Sequence, residues 1–260
     1  MISYFERVGA LRFRPTEATG GAWALDEQHI SPMTGLIVHA VEESARARGA
    51  GDMVISRVSM DILGVLKIED FDLRVEVVRP GRTIELVEVV VTARGRPAVR
   101  ARVWRMTGQD TSAVAGGEPA ALPDPGPVPT WPLTDTWAGG YIRSIEVRPV
   151  ATPRPGRTTA WISTGLELVA GEPCSTLARY LALVDTANGI AMRQSPKEWL
   201  FPNLDLTIHL YRQPRGGWVG LDTGVIFGAH GQGLTSTTLH DISGPVGRAE
   251  QILTVRPAPG

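Results

Sequence analysis

Apolar and polar positions change period several times along the chain. Over residues 33–47 the apolar positions Leu36, Val38 or His39, and Val41 to Ala45 recur at helical spacing, and the segment turns polar at its end. That pattern predicts an amphipathic helix, stopped by Gly49 and Gly51. A short strand is predicted before it at 22–25. Strand-like runs come next at 54–68, then at 72–78 and 83–93, joined through Arg79-Pro80-Gly81-Arg82. A last run at 98–106 comes after a turn at Gly95-Arg96-Pro97.

The second half repeats that order. Strands are predicted at 141–147 and 158–168, a helix at 176–192, then strands at 203–211, 218–227, 234–239 and 249–255. The ends of the halves align: Pro97-Ala-Val-Arg100-Ala101 falls on Pro245-Val-Gly-Arg248-Ala249. We read an internal duplication, each half one helix packed on an antiparallel sheet. Such a half exposes one apolar sheet face and edge unless a second copy covers it. Between the halves, residues 108–135 carry six prolines from Pro119 to Pro132 and almost no hydrophobic period. Proline has no N–H for a helix or ladder, so this stretch reads as an extended linker. The expected organisation is 1–107, linker 108–135, and 136–260.

Composition narrows the class. The chain has 260 residues, 26 basic against 27 acidic, and is 43% apolar. A near-neutral balance argues against a nucleic-acid or polybasic membrane binder. No apolar run reaches the ~18 residues that span a bilayer. Glu6, Arg7 and Arg12 interrupt the apolar residues at the start, so a secretory leader is not expected. The lone cysteine, Cys174, permits no internal disulfide and no cysteine-cluster metal site. A cytoplasmic location is the default. No G-x-S-x-G elbow, H-E-x-x-H pair or complete dinucleotide fingerprint occurs, and neither a metal nor an organic cofactor is expected.

Candidate chemistry comes from polar residues in apolar surroundings. The 176–192 segment is nearly apolar all round, yet carries Asp185, Thr186 and Asn188 in its middle. Asp185 flanks the apolar stripe. It either points to water or a backbone N–H at a helix edge, or it is a functional carboxylate with a raised pKa. In the last strand Ala249, Gln251, Leu253 and Val255 share one face. Gln251 thus occupies an apolar face where its repeat partner is Val103. It is either a satisfied core glutamine or an active-site amide. Asn203 follows Pro202 at the start of an alternating strand, where a side chain can reach a cleft. His240-Asp241 reads as a turn end, not a dyad. Arg143, Arg148, Arg154 and Arg157 either hold phosphates or form a solvated edge.

Three segments carry a family resemblance. They are Leu183-Val-Asp-Thr-Ala-Asn-Gly189, Asn203-Leu-Asp-Leu-Thr-Ile-His-Leu-Tyr-Arg212 and Gly244-Pro-Val-Gly-Arg-Ala-Glu-Gln-Ile-Leu-Thr-Val-Arg256. In them, and in its duplicated order, the chain resembles the double-hotdog acyl-CoA thioesterase II (TesB-like) proteins over nearly its whole length. The resemblance implies an α+β fold of two tandem hotdog domains, each a helix wrapped by an antiparallel sheet. It implies hydrolysis of an acyl-CoA or similar thioester, with a small-molecule substrate, no cofactor, and scope for a homo-oligomer. In that family an Asp, a Thr or Ser, and a Gln orient a water. Those positions fall on Asp185, Asn203 and Gln251, so Asn203 departs from the family's hydroxyl. The corresponding first-half positions fall near Glu42 and on Val103, which implies one site per chain. Two other readings stand beside this one. One is a non-catalytic acyl-CoA or lipid-binding protein. The other is a hotdog hydratase or dehydratase, against which Ile190 stands where such enzymes place a histidine.

Overall fold

The computed structural model describes residues 3–259. In chain order the strands of the first half are β1 (Ser3–Arg7), β2 (Arg12–Pro15), β3 (Gly20–Gly21) and β4 (Ala24–Gln28), then, after the helix α1 (Ile30–Ala47), β5 (Met53–Ile62), β6 (Phe71–Arg79), β7 (Ile84–Ala93) and β8 (Arg96–Thr107). The second half begins with a short helix α2 (Gly140–Ser144), followed by β9 (Ile145–Pro149), β10 (Arg157–Thr164) and β11 (Glu167–Val169). Helices α3 (Thr176–Leu181) and α4 (Thr186–Ile190) come next, then β12 (Trp199–Leu200), β13 (Asp205–Leu210), β14 (Val219–Phe227), β15 (Gln232–Asp241), β16 (Gly244–Thr254) and β17 (Arg256–Pro257).

Thirteen strands form one sheet in the order β11-β1-β2-β6-β7-β8-β5-β13-β16-β15-β14-β10-β9. Read outward from the central β5–β13 pair, the two sides mirror each other: β8 answers β16, β7 answers β15, β6 answers β14, β2 answers β10, and β1 answers β9. The duplication inferred from sequence is therefore a pseudo-two-fold axis through the β5–β13 pair. There Asp205 to His209 register antiparallel against Asp61 to Arg57. Every pairing in the sheet is antiparallel except the edge strand β11, which the second half lends parallel to β1 of the first. The apolar faces of both halves close over the helices in one core. In β8 and β16 the register places Val103 opposite Val87, and Gln251 opposite Thr235. This is the two-fold correspondence expected from the Pro-x-x-Arg-Ala alignment.

The helices meet at Gly35. A Cβ there would lie 2.5 Å from the carbonyl oxygen of Ala178 and 2.6 Å from the Cβ of Ala182. The α1 and α3 backbones are thus in direct contact, which only glycine permits. Arg7 fixes the adjoining edge: it binds both carboxylate oxygens of Glu172 and reaches Glu43 at 2.7 Å. His39 joins these two carboxylates, with Nε2 3.1 Å from Glu172. The guanidinium bridges the two carboxylates.

Several sequence expectations need correcting. The helix expected over 176–192 is not continuous. After α3 the backbone tightens into i→i−3 bonds, Leu183 to Tyr180, Val184 to Leu181 and Thr186 to Leu183, before α4 resumes. Thr186 Oγ1 also donates to the Leu183 carbonyl at 2.7 Å. Such 3₁₀ tightening inside a helix re-aims the side chains beyond it. The first helix begins at Ile30, earlier than expected, because Pro32 lies in its first turn, where its missing N–H is no loss. Residues 141–144, expected in a strand, belong to α2. Ahead of the first predicted strand the chain forms two more, β1 and β2.

Residues 108–121 are exposed, with one 3₁₀ turn at Ser112–Val114. Beyond them the chain is tied down. Trp161 Nε1 donates to the Pro123 carbonyl at 2.8 Å, and Arg148 Nη1 donates to the carbonyls of Pro125 and Gly126. The segment then runs into Leu133 and Trp137, both buried.

Candidate active site

The 3₁₀ turn between α3 and α4 puts Asp185 at the head of α4, 5% exposed, lining a cleft of about 440 Å³. Ile30, Ile62, Leu63 and Leu66 of the first half line the cleft, with Leu133 of the linker and Trp137 and Ile142 of the second half. Trp137 is fixed by its Nε1 donating to the Gly189 carbonyl at 2.9 Å and by edge contacts to Trp23 and Phe201. A largely apolar cleft of this size with a few converging polar groups is the ordinary form of a small-molecule site.

The three residues singled out by sequence converge. Asn203 Nδ2 donates to Asp185 Oδ1 at 2.8 Å, and Gln251 Nε2 donates to the same oxygen at 2.7 Å. Asn203 is held in place by a β-bridge of its backbone to Leu253 and by a second bond from Nδ2 to the Asp205 carbonyl. Gln251, 1% exposed, projects from β16 into the core, and its Oε1 has no hydrogen-bond partner among the described residues. No Lys or Arg among the described residues pairs with Asp185. Burial, opposed by the two amide donors, pushes its carboxyl up to about 8. Since Oδ1 already accepts two N–H groups, a proton on this carboxyl belongs on Oδ2.

Sequence reasoning missed His29, which faces that second oxygen. Its Nδ1 lies 3.5 Å from Asp185 Oδ2. His29 is the N-cap of α1, and Nδ1 accepts the Ser31 N–H at 3.2 Å. The ring stacks on Tyr141, centroids 4.1 Å apart, and Tyr141 in turn hydrogen-bonds Thr186 at 2.5 Å. Burial pushes the imidazole down to about 3, so it is neutral at physiological pH. The one signal available in sequence was a polar residue three places ahead of Pro32, at the start of a helix. Asn188, one turn beyond Asp185, also lines the cleft, with Nδ2 donating to the Phe201 carbonyl.

Other polar candidates lie outside the site. Asp241 closes β15 and clamps Arg212 through both oxygens at 2.6 and 2.7 Å, with backbone N–H bonds from Arg215 and Ser243. Arg157 pairs with Asp222, and Arg148 is taken up by Glu146 and the carbonyls before Trp131. Across the pseudo-two-fold, the position near Glu42 faces Ser175, the N-cap of α3, much as Asp185 faces the N-cap of α1. There Val103 replaces the glutamine, so only one half carries the complete amide-and-carboxyl set.

Known proteins match this architecture. The chain is similar to an acyl-CoA thioesterase II, TesB2, from Mycobacterium marinum, at 16% identity and a TM-score of 0.68, covering 98% of this chain and 96% of that one. It is similar to a tesB protein from Mycobacterium avium subs paratuberculosis at 18% identity and a TM-score of 0.67, covering 97% and 96%. A protein with a hot dog fold from Alicyclobacillus acidocaldarius superposes with a TM-score of 0.73 at 12% identity, covering 98% and 96%. At such identities the likeness shows the fold: two hotdog units spanning the whole chain. No curated protein matches the chain. Family models do: one for the acyl-CoA thioesterase N-terminal domain over residues 19–106, and one for the C-terminal domain over residues 117–255. With both models matched in order, and the second alone spanning more than half its length, the chain belongs to the acyl-CoA thioesterase family and is a thioester hydrolase of the hotdog fold.

Proposed function

We propose that the chain hydrolyses an acyl-CoA, or a similar acyl thioester, to free acid and thiol in the Asp185 cleft. The observation that carries this reading is the convergence of the Asn203 and Gln251 amides on one oxygen of a buried carboxyl whose other oxygen stays free of them. Thioester hydrolysis needs a water, an acceptor for its proton, and donors for the oxyanion. Ionised Asp185 accepts a proton as the water oxygen attacks the carbonyl carbon. The tetrahedral intermediate then collapses with cleavage of the C–S bond, and the proton on Asp185 passes to the departing thiolate. The amide donors fix the carboxylate, and in this reading Asn203 Oδ1, which Asp185 does not engage, accepts from the water. Asn203 thus does the work of the family's hydroxyl. The α1 N-terminus, where Ile30 lines the cleft, turns its positive end toward the developing charge. The acyl chain occupies the apolar cleft between Ile62, Leu66, Leu133 and Trp137.

The test is thiol release from a panel of acetyl-, hexanoyl-, decanoyl- and palmitoyl-CoA. Turnover of at least one, lost in Asp185→Asn, supports the reading. Tight binding of acyl-CoA without turnover would instead make the protein an acyl-CoA binder.

A further inference from the structure

His29 belongs to the first half of the chain, whereas the amide-and-carboxyl set lies entirely in the second. Its ring has two nitrogens with separable roles. Nδ1 accepts the Ser31 N–H and also faces Asp185 Oδ2. A backbone N–H can only donate, so the Ser31 bond by itself places a lone pair on Nδ1. The neutral ring therefore carries its hydrogen on Nε2. Among the described residues Nε2 has no hydrogen-bond partner, and His29 lines the cleft beside Asp185. The Ser31 N–H bond and the stacked Tyr141 ring, centroids 4.1 Å apart, hold the imidazole in this orientation.

We infer that His29 is a catalytic residue, whose Nε2–H donates to the carbonyl oxygen of the thioester and to the oxyanion that forms on it. This rests on the reading of the Asp185 cleft as the hydrolytic site, and adds to it a donor from the other half. A neutral imidazole suits the task. It donates without bringing a cation that would lower the basicity of the adjacent carboxylate, and burial with pKa about 3 keeps it neutral throughout the working range. It also explains why a single site needs both halves: one half holds the water and its base, the other polarises the carbonyl.

Two substitutions separate the nitrogens. In His29→Asn, the side-chain oxygen takes over the cap on Ser31, since Asn is among the best N-cap residues, but nothing reaches the place of Nε2. In His29→Gln, the amide nitrogen reaches toward the Nε2 place while the short-range cap is lost. His29→Asn is expected to keep the melting temperature and lose about 10²–10³-fold in kcat with little change in KM, the size of one lost oxyanion donor. The pH midpoint of its residual activity is expected to stay where it is in the wild type. His29→Gln is expected to melt lower yet recover most of the turnover per folded molecule. Overturning results are His29→Asn turning over as fast as wild type, or both variants losing activity only in proportion to lost folding; either makes His29 a structural cap. Acyl-CoA turnover of the wild type, measured alongside, tells the two proposals apart. No wild-type turnover removes both, whereas wild-type turnover abolished in Asp185→Asn but retained in His29→Asn removes only the role of His29.

Discussion

Asp185 Oδ2 lies 3.5 Å from His29 Nδ1, a contact between the broken helix of the second half and the helix cap of the first. Asp185 Oδ1 on the same carboxyl is occupied by Asn203 and Gln251. Its two oxygens therefore have different chemistry. One is fixed by donors, and the other is free to exchange a proton at a site that faces no cation.

Asp185→Asn keeps this shape. Its oxygen can accept from both amides, and its nitrogen can donate to His29 Nδ1. Turnover is expected to fall by about 10²–10⁴, the contribution of a general base. Stability is expected to move the other way. In the fold the carboxyl is raised to about 8, from ~3.9 in an unfolded chain. The neutral form is the one the fold favours. The group's contribution is therefore fully present below pH ~4 and is lost as pH rises through about 8, a swing on the order of 5 kcal/mol. Melting curves of wild type and variant should converge near pH 4 and separate toward pH 9, with the variant higher. Parallel curves would contradict the buried, raised carboxyl.

The pH dependence of kcat/KM comes from the same group. Activity that requires ionised Asp185 should rise with pH and level off above a midpoint near 8. Gln251→Leu removes one of the two donors that favour the ionised form, so its midpoint should move upward and its turnover should fall. The leucine also removes Oε1, which lacks a partner among the described residues, and restores an apolar residue as at Val103. Its stability at pH 5, where Asp185 is protonated, should stay within about 1 kcal/mol of wild type. A larger loss with unchanged turnover per folded molecule would make Gln251 a structural core amide.

Gly35→Ala should separate the two halves of the site. The added Cβ would lie 2.5 Å from the Ala178 carbonyl oxygen, backbone that cannot rotate away. The helices must move apart, at a cost of about 1–3 kcal/mol and roughly 3–10 °C in melting temperature. His29 caps α1 and Asp185 follows the turn that ends α3, so kcat should fall beyond the loss of folded protein. An unchanged melting temperature would show that α1 and α3 tolerate a wider separation.

Limited proteolysis should cut the chain between Gly108 and Ala121 and spare the stretch from Pro123 to Trp137. The first part is exposed, whereas Pro123, Pro125 and Gly126 are held by Trp161 and Arg148. Mass spectrometry of the fragments locates the cut. Trp161→Phe, which deletes the bond to Pro123, should extend cleavage toward Thr130. Cleavage beyond Pro123 in the wild type would show that these bonds do not hold the segment.

Much of the site was legible because two of its residues break a local rule. Gln251 stands on an apolar strand face where Val103 stands in the other half, and Asp185 interrupts an apolar helix. Asn203 was visible as a polar residue at a strand start. His29 broke no rule. A histidine before a helix is unremarkable until the helix is packed, and Tyr141, which holds its ring, sits in a segment whose pattern suggested a strand.

The sequence by itself determined the repeating order of helix and strands, the correspondence of β8 with β16 across the duplication, and the family to which these point. These depend on side-chain period and turn chemistry, which act over a few residues. Only the tertiary structure decided that α3 gives way to a 3₁₀ turn at Leu183 to Thr186, and that Asp185 thereby meets His29. That meeting depends on joining the two sheets at β5 and β13 and on the close approach at Gly35. Distances between halves are set by this packing, and no local pattern of apolar and polar residues encodes them.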